Sequence, residues 1–351
     1  MLMIDSHLDL AMNALEWNRD VNLTVPEIRR LEAGMTDPGR GNGTVALPEM
    51  RQAELAISVI TVISRTARPG SPATGTAHQE ISYAAAQGQL AYYRVLESQG
   101  KARMITDLAG LDRHFAAWQK GGADEPLGFI LSMEGADPIA WPEQVESWWE
   151  DGLRVVSLSH YGISAYAHGT GTEGGLTELG VPLLRGMDSV GMILDLTHLA
   201  DQAFWEALEN FSGPVLASHN NCRALVPGGR QYSDEQIRAL VERNGVIGVA
   251  LDAWMLYPGW IKGETSPSVI SLEVVADQLD HICQLAGNAD HAGIGSDLDG
   301  GYGTEQTPGD LDTIVDLQKI PELMYKRGYS EEDAAKIMHG NWVEFFRQAW
   351  S

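Results

Sequence analysis

Short apolar runs rich in Val, Ile and Leu alternate along this chain with longer segments whose apolar residues recur at helical spacing, which is the pattern of parallel βα units. Eight runs read as strands: 3–10, 56–64, 127–134, 153–159, 192–197, 215–218, 246–251 and 292–296. The spacing predicts helices between them, among them 79–98, 108–119, 201–210, 234–244 and 272–285. Ser233 before Asp234 and Glu235, and Ser330 before Glu331 and Glu332, mark helix starts, where a capping hydroxyl and early acids satisfy the free N–H groups and the positive end of the dipole. Eight strands, each followed by a helix or long loop, predict an α/β fold of the (β/α)8 TIM-like barrel type, whose functional groups sit at the carboxyl ends of the strands. Two polar, glycine-rich stretches, 18–47 and 161–175, read as loops over that end. No repeat or composition break marks a linker, so residues 1–351 are expected to form a single barrel domain.

Composition narrows the function classes. Asp and Glu total 48 against 24 Lys and Arg, a net charge of −24, which repels nucleic acid and anionic lipid alike. No stretch approaches the roughly 18 apolar residues of a membrane span, and the first residues carry acids and a histidine where a signal peptide has a basic and then an apolar segment. Cys222 and Cys283 are too few for a disulfide framework or a cysteine-based zinc site. A cytoplasmic protein without nucleic-acid or membrane partners is expected.

The polar residues at the predicted strand ends change the picture further. In Ile4-Asp5-Ser6-His7-Leu8-Asp9-Leu10, His7 and Asp9 share one face of a strand, and neither is buried cheaply without a partner. Taken alone, the pair reads as a satisfied core histidine and its neighbour. The event recurs, however: Glu134, His198, His219 and Asp297 each close an apolar run. Three His and two or three carboxylates exceed the usual three protein ligands of one catalytic zinc and suit two ions sharing a carboxylate, with Glu134 as the natural bridge. A carbamylated lysine, the other common bridge on barrels, lacks a residue here, since Lys101, Lys120, Lys262, Lys319, Lys326 and Lys336 all lie away from strand ends.

Asp5-Ser6-His7-Leu8-Asp9-Leu10, Ser132-Met133-Glu134-Gly135, Asp195-Leu196-Thr197-His198, Ser218-His219-Asn220-Asn221 and Gly293 to Gly300 together resemble the membrane (renal) dipeptidase family of zinc peptidases, peptidase family M19. The resemblance runs almost the whole chain, through Gly175-Leu176-Thr177, Arg230 to Asp234 and Gly340-Asn341-Trp342. It implies two Zn²⁺ per chain, one on His7 and Asp9, the other on His198 and His219, with Glu134 between them and a shared hydroxide as nucleophile. It further implies that Asp297 shuttles the proton, His160 lies near the scissile carbonyl, and Arg230 receives the substrate carboxylate. A dipeptidase acting on short dipeptides with a free C-terminal carboxylate, L,D as well as L,L, is the function implied, with the dipeptide as small-molecule partner and a homodimer as the one self-association allowed for. The physical roles agree: metal-activated water dispenses with a Ser or Cys nucleophile, an imidazole can donate to a developing oxyanion, and Arg230, beside Gly228 and Gly229, offers a planar fork to a carboxylate.

One departure is Ile163, where the family usually has asparagine; it bears on substrate preference and leaves the metal ligands untouched. Gly169 to Gly174 fits G-x-G-x-x-G only formally, because it follows a loop. His78, His114, His281, His291 and His339 read as surface or packing residues, His168 as a loop histidine, Arg223 as a surface or packing residue, and the tryptophans by default as packing. Asp299 shares a strand face with Asp297 and ranks below it, as a residue that orders Asp297 or a loop. The rival readings are a one-metal deaminase or non-peptide amidohydrolase on the same barrel and a non-catalytic binding protein on a decayed scaffold.

Overall fold

The computed structural model describes residues 1–122 and 124–351. Nine parallel strands form the sheet: β1 (Met3–Leu8), β2 (Leu55–Ile63), β3 (Ala102–Met104), β4 (Leu127–Glu134), β5 (Leu153–Ser157), β6 (Ile193–Asp195), β7 (Val215–Leu216), β8 (Ile247–Val249) and β9 (Ala292–Ile294). Eight run in the order β7-β6-β5-β4-β2-β1-β9-β8, and the bridge Ala217↔Ile247 joins the two ends into a barrel. These eight are the eight apolar runs of the sequence. β1, β2, β4 and β5 are buried along their whole length, as strands are whose inner face fills a barrel and whose outer face meets helices.

The ninth strand, β3, was not foreseen. It is three residues long and pairs Ala102↔Leu127 to Met104↔Phe129, on the lower part of β4, while β5 takes over from Leu131. So short a run, Ala-Arg-Met, carries no period of its own.

Helices cover the outside, including Gln79–Ser98, Leu108–Gln119, Asp201–Asn210, Asp234–Glu242 and Glu273–Ala286. Ser233 and Ser330 each close a capping box, with Gln236 and Asp333. The segment 18–47 is more ordered than a loop: Thr24 and Glu27 form a capping box at the start of helix Val25–Leu31, a Thr-x-x-Glu signal present in the sequence. Close approach dictates the residue where β7, β8 and β9 meet, since a Cβ on Gly295 would fall inside contact distance of the Ser218 carbonyl and the Ser6 hydroxyl. Among the described residues no helix is long and apolar enough to cross a membrane.

Candidate metal centre

All eight barrel strands deliver a polar side chain to the same cleft. His7 comes from β1, Asp9 and Arg65 from just past β1 and β2, Glu134 from the end of β4 and His160 from beyond β5; His198, His219, Asp252 and Asp297 each lie three residues past β6, β7, β8 and β9. The cleft holds about 620 Å³. Beyond β6 and β9, His198 (φ 69°), Asp297 (φ 57°) and Asp299 (φ 62°) adopt left-handed backbone, uncommon for non-glycine residues and least so for Asn, Asp and His.

Two buried carboxylates hold those turns. Asp5 accepts from the backbone N–H of Ser296 at 2.9 Å and of His7 at 3.1 Å, tying β1 to the end of β9. Asp195 accepts from the backbone N–H of Thr197 and of Ser218, both at 3.0 Å, tying β6 to β7. Their signal in the sequence is an acid inside an apolar run.

Glu134 is the centre of the arrangement. Its Oε1 lies 3.3 Å from the Nε2 atoms of both His198 and His219 and 3.6 Å from those of His7 and His160. His7 Nε2 is also 3.9 Å from Asp9 and 3.8 Å from Asp297. Three ligand groups emerge: His7, Glu134 and His219; Glu134, His160 and His198; and His7, Asp9 and Asp297. The structure thus brings together His7, Asp9, Glu134, His160, His198, His219 and Asp297.

The donor set fits divalent metal. His198 Nδ1 is 2.8 Å from Thr170 Oγ1, and His219 Nδ1 is 2.9 Å from Ser218 Oγ. With those nitrogens protonated, two bare Nε2 lone pairs face one another at 3.1 Å. His7 Nε2 is buried and has no hydrogen-bond partner. Burial holds the His7 and His160 imidazoles down at about 3 and those of His198 and His219 well below their ordinary value, so at neutral pH they are uncharged, as metal ligation requires.

Carboxylates crowd in among them. Burial, then Glu134, pushes Asp9 up to about 8, and burial, Asp9 and Glu134 drive Asp297 well above the carboxylate range. Burial also raises Glu134, but His160, His7, Arg230 and Arg65 outweigh it; with the imidazoles neutral, the lasting pull is that of the two guanidiniums. Lone pairs and carboxylates pressed together in this way are reconciled by a cation.

Arg230 is buried in the cleft wall. It donates to the carbonyl of His219 at 2.8 Å, to Asn220 Oδ1, and lies 3.3 Å from His198 Nε2; its Nε has no partner. Asp299 instead turns away to accept from Thr44 and Val45. Arg223 pairs with Asp201 at the surface. His114 is a satisfied core histidine on the carbonyl of Ala56.

Sequence reasoning missed several wall residues. Arg65, Asp252, Trp254, Trp260, Lys262 and Tyr302 line the cleft, so packing as the default for tryptophan fails at Trp254, while Trp260 lines the cleft and also packs against the core. Thr61, which donates to Asp9, was missed as well. Of the segments expected over the mouth, 161–175 contributes Tyr161 to the wall and 18–47 contributes none; Ile163 and His168 also lie off it. The signal available for Arg65 was a charged residue at a strand end.

Comparison with known proteins bears on the family and the fold. The pattern of the family described as membrane dipeptidase (peptidase family M19) matches residues 1–350. A protein of Klebsiella pneumoniae known as the uncharacterized protein in the pqqA 5' region is 25% identical over 267 residues, 73% of this chain and 92% of that one. Dipeptidase aclJ of Aspergillus oryzae is 28% identical over 319 residues, 88% of this chain and 71% of its own. Dipeptidase tcpJ of Claviceps purpurea is 31% identical over 204 residues, 56% of this chain and 45% of its own. A metallopeptidase from Rhodobacter sphaeroides, solved with a phosphinate mimic of the dipeptide L-Ala-D-Ala, superposes with a TM-score of 0.81 at 22% identity, covering 100% of this chain and 99% of that one, and so shares the barrel. With the family pattern spanning residues 1–350, this chain belongs to the membrane dipeptidase family, peptidase family M19, a family of metal-dependent dipeptidases.

Proposed function

We propose that this chain is a binuclear zinc dipeptidase that cleaves the peptide bond of short dipeptides bearing a free C-terminal carboxylate. The observation that carries the reading is the ring of four imidazole Nε2 atoms around Glu134 Oε1, with Asp9 and Asp297 alongside and Arg230 in the same wall. His7 and Asp9 would hold one ion, His198 and His219 the other, and Glu134 would join them. When bound, the pair supplies Lewis-acid activation of water and of the scissile carbonyl.

The chain's own groups do the rest. Asp297, whose Oδ1 lies 3.8 Å from His7 Nε2, takes the proton released by attack as a carboxylate and passes it to the leaving amine. His160 donates to the carbonyl oxygen as charge develops on it. Arg230 receives the substrate's carboxylate and so places the scissile bond over Glu134. Acceptance of a D-residue at the carboxyl side is supported by the L-Ala-D-Ala mimic held by the Rhodobacter sphaeroides relative. A cytoplasmic setting is supported by Cys222 and Cys283, both buried free thiols.

Elemental analysis of protein prepared without chelator, together with a panel of L,L and L,D dipeptides, tests the reading. Two zinc ions per chain and turnover of free dipeptides are expected. One ion in fully active enzyme would sink the binuclear centre, and turnover of non-peptide amides alone would favour the one-metal amidohydrolase.

A further inference from the structure

We infer that Arg65 is a positioning residue that fixes the tautomer of His160, holding its proton on Nε2 and thereby making it a donor to substrate and keeping it off the metal. The four imidazoles around Glu134 are alike in residue type and nearly alike in distance, so what separates their roles must lie at their other nitrogen. A neutral imidazole carries one proton, and the partner at one nitrogen decides which nitrogen holds it.

For His198 and His219 the partners at Nδ1 are hydroxyls. Thr170 Oγ1 sits 3.2 Å from the carbonyl of His198, to which it donates, and Ser218 Oγ donates to Asp195 at 2.5 Å. Each hydroxyl has thus given its proton elsewhere and accepts from Nδ1–H, which leaves Nε2 bare for a cation. His7 Nδ1 reaches the same Ser218 Oγ at 3.4 Å.

His160 differs. Its Nδ1 is 3.0 Å from Nη1 of Arg65, and a guanidinium has five donors and no acceptor. Nδ1 must therefore be the acceptor and the proton must reside on Nε2, the atom 3.6 Å from Glu134 Oε1 in the cleft. A protonated nitrogen cannot ligate a metal, so His160 is excluded from the ligand group its position would otherwise complete with Glu134 and His198. The ring is held in plane by edge contacts with Tyr161 (centroids 4.8 Å) and His198 (4.4 Å). Arg65 reaches Nδ1 because it lies two residues past β2, on the cleft rim.

The catalytic consequence rests on the dipeptidase reading above; the tautomer does not. Nitrogen-15 NMR of zinc-loaded protein labelled at histidine, with His160→Gln to identify the His160 signals, reads the tautomer directly. The expected result is an Nε2–H imidazole with a bare, hydrogen-bonded Nδ1. In Arg65→Met that signature should be lost, kcat on a good dipeptide should fall by about 10- to 100-fold with KM changed less than about threefold, and zinc content should hold. Arg65→Lys, which still donates, should restore the signature and most of kcat. An Nδ1–H or zinc-bound His160 in the wild type would overturn the inference, as would an unchanged tautomer in Arg65→Met. If the spectra behave as expected but no dipeptide is hydrolysed, the functional reading fails and the role of Arg65 in setting the tautomer stands.

Discussion

Asp297 stands three residues past β9 in left-handed backbone, its Oδ1 3.8 Å from His7 Nε2 and its backbone N–H donating to the His7 carbonyl at 3.3 Å, which is where the proposed proton transfer needs a carboxylate. Asp297→Asn keeps the shape and removes the titrating oxygen. It is expected to lower kcat by about 10² to 10⁴ with zinc content near wild type; wild-type kcat at full metal loading would pass the role to another group. Arg230 is tested by contrast of substrates. Arg230→Met should cost roughly 10² in kcat/KM on free dipeptides, because the carboxylate loses a charge-assisted pair, and should leave the already poor hydrolysis of dipeptide amides nearly unchanged. Equal losses on acid and amide would show that Arg230 acts by holding Asn220 and the His219 carbonyl, its partners in the structure. At this scale residue type and strand-end position made the clustered His and acids legible as candidate ligands, whereas Thr61, Thr170 and Ser218 were not: a hydroxyl is common everywhere, and only folding brings it to an imidazole or a carboxylate.

The element that best shows how the mouth is braced is the segment 18–47. Arg19 grips Glu32 through two bonds, 2.7 and 3.0 Å, and reaches Asp299 at 3.2 Å, while the Gly41 N–H donates to Glu32 at 2.7 Å. Asp299 in turn accepts from Thr44 and Val45. The brace therefore fastens the helix Val25–Leu31 region to the loop that carries Asp297. Breaking such a buried pair by removing one partner's charge costs about 3 kcal/mol, so Glu32→Gln should lower the urea midpoint clearly at pH 7. Burial raises the Glu32 carboxyl, but Arg19, the Gly41 N–H and Arg40 outweigh it and leave it below the ordinary value. A lowered folded-state pKa contributes stability that is present above the ordinary glutamate pKa and is lost as pH falls through the folded one. The gap between wild type and Glu32→Gln should hence narrow in acid; a gap constant down to pH 3 would mean the charge is not what matters. Element periods were legible in the eight barrel strands. They were not in β3, too short to show a period.

For the whole molecule, the metal centre doubles as a clasp. Its proposed ligands come from β1, β4 and the turns after β6 and β7, so ions bound there tie together strands that the chain joins only through long excursions. Binding to the folded state alone adds about 4 kcal/mol when free metal is a thousandfold above Kd. Chelation should lower Tm by several degrees, and re-addition of zinc should restore it; an unchanged Tm after verified loss of metal would show that the barrel is held by its core alone. Most of that core is one cluster running from Met3 to Phe346, beside a small separate one of Val25, Ile28 and Ala46.

The eight-strand αβ alternation, the barrel class and the acids and histidines at strand ends were determined by the sequence itself, because side-chain period and chain order are local properties. Which partners each of those residues meets was decided by tertiary structure. Glu134 stands at the centre only because β4 lies where four imidazoles from other strand ends converge on it. Asp299 parts from Asp297 because Thr44 and Val45, distant in sequence, come to meet it. His160 differs from His198 because one faces Arg65, 95 residues away, and the other Thr170, 28 residues away. The partner at the far side of a ring fixes where its proton sits, and no spacing along a chain encodes that partner until the barrel closes.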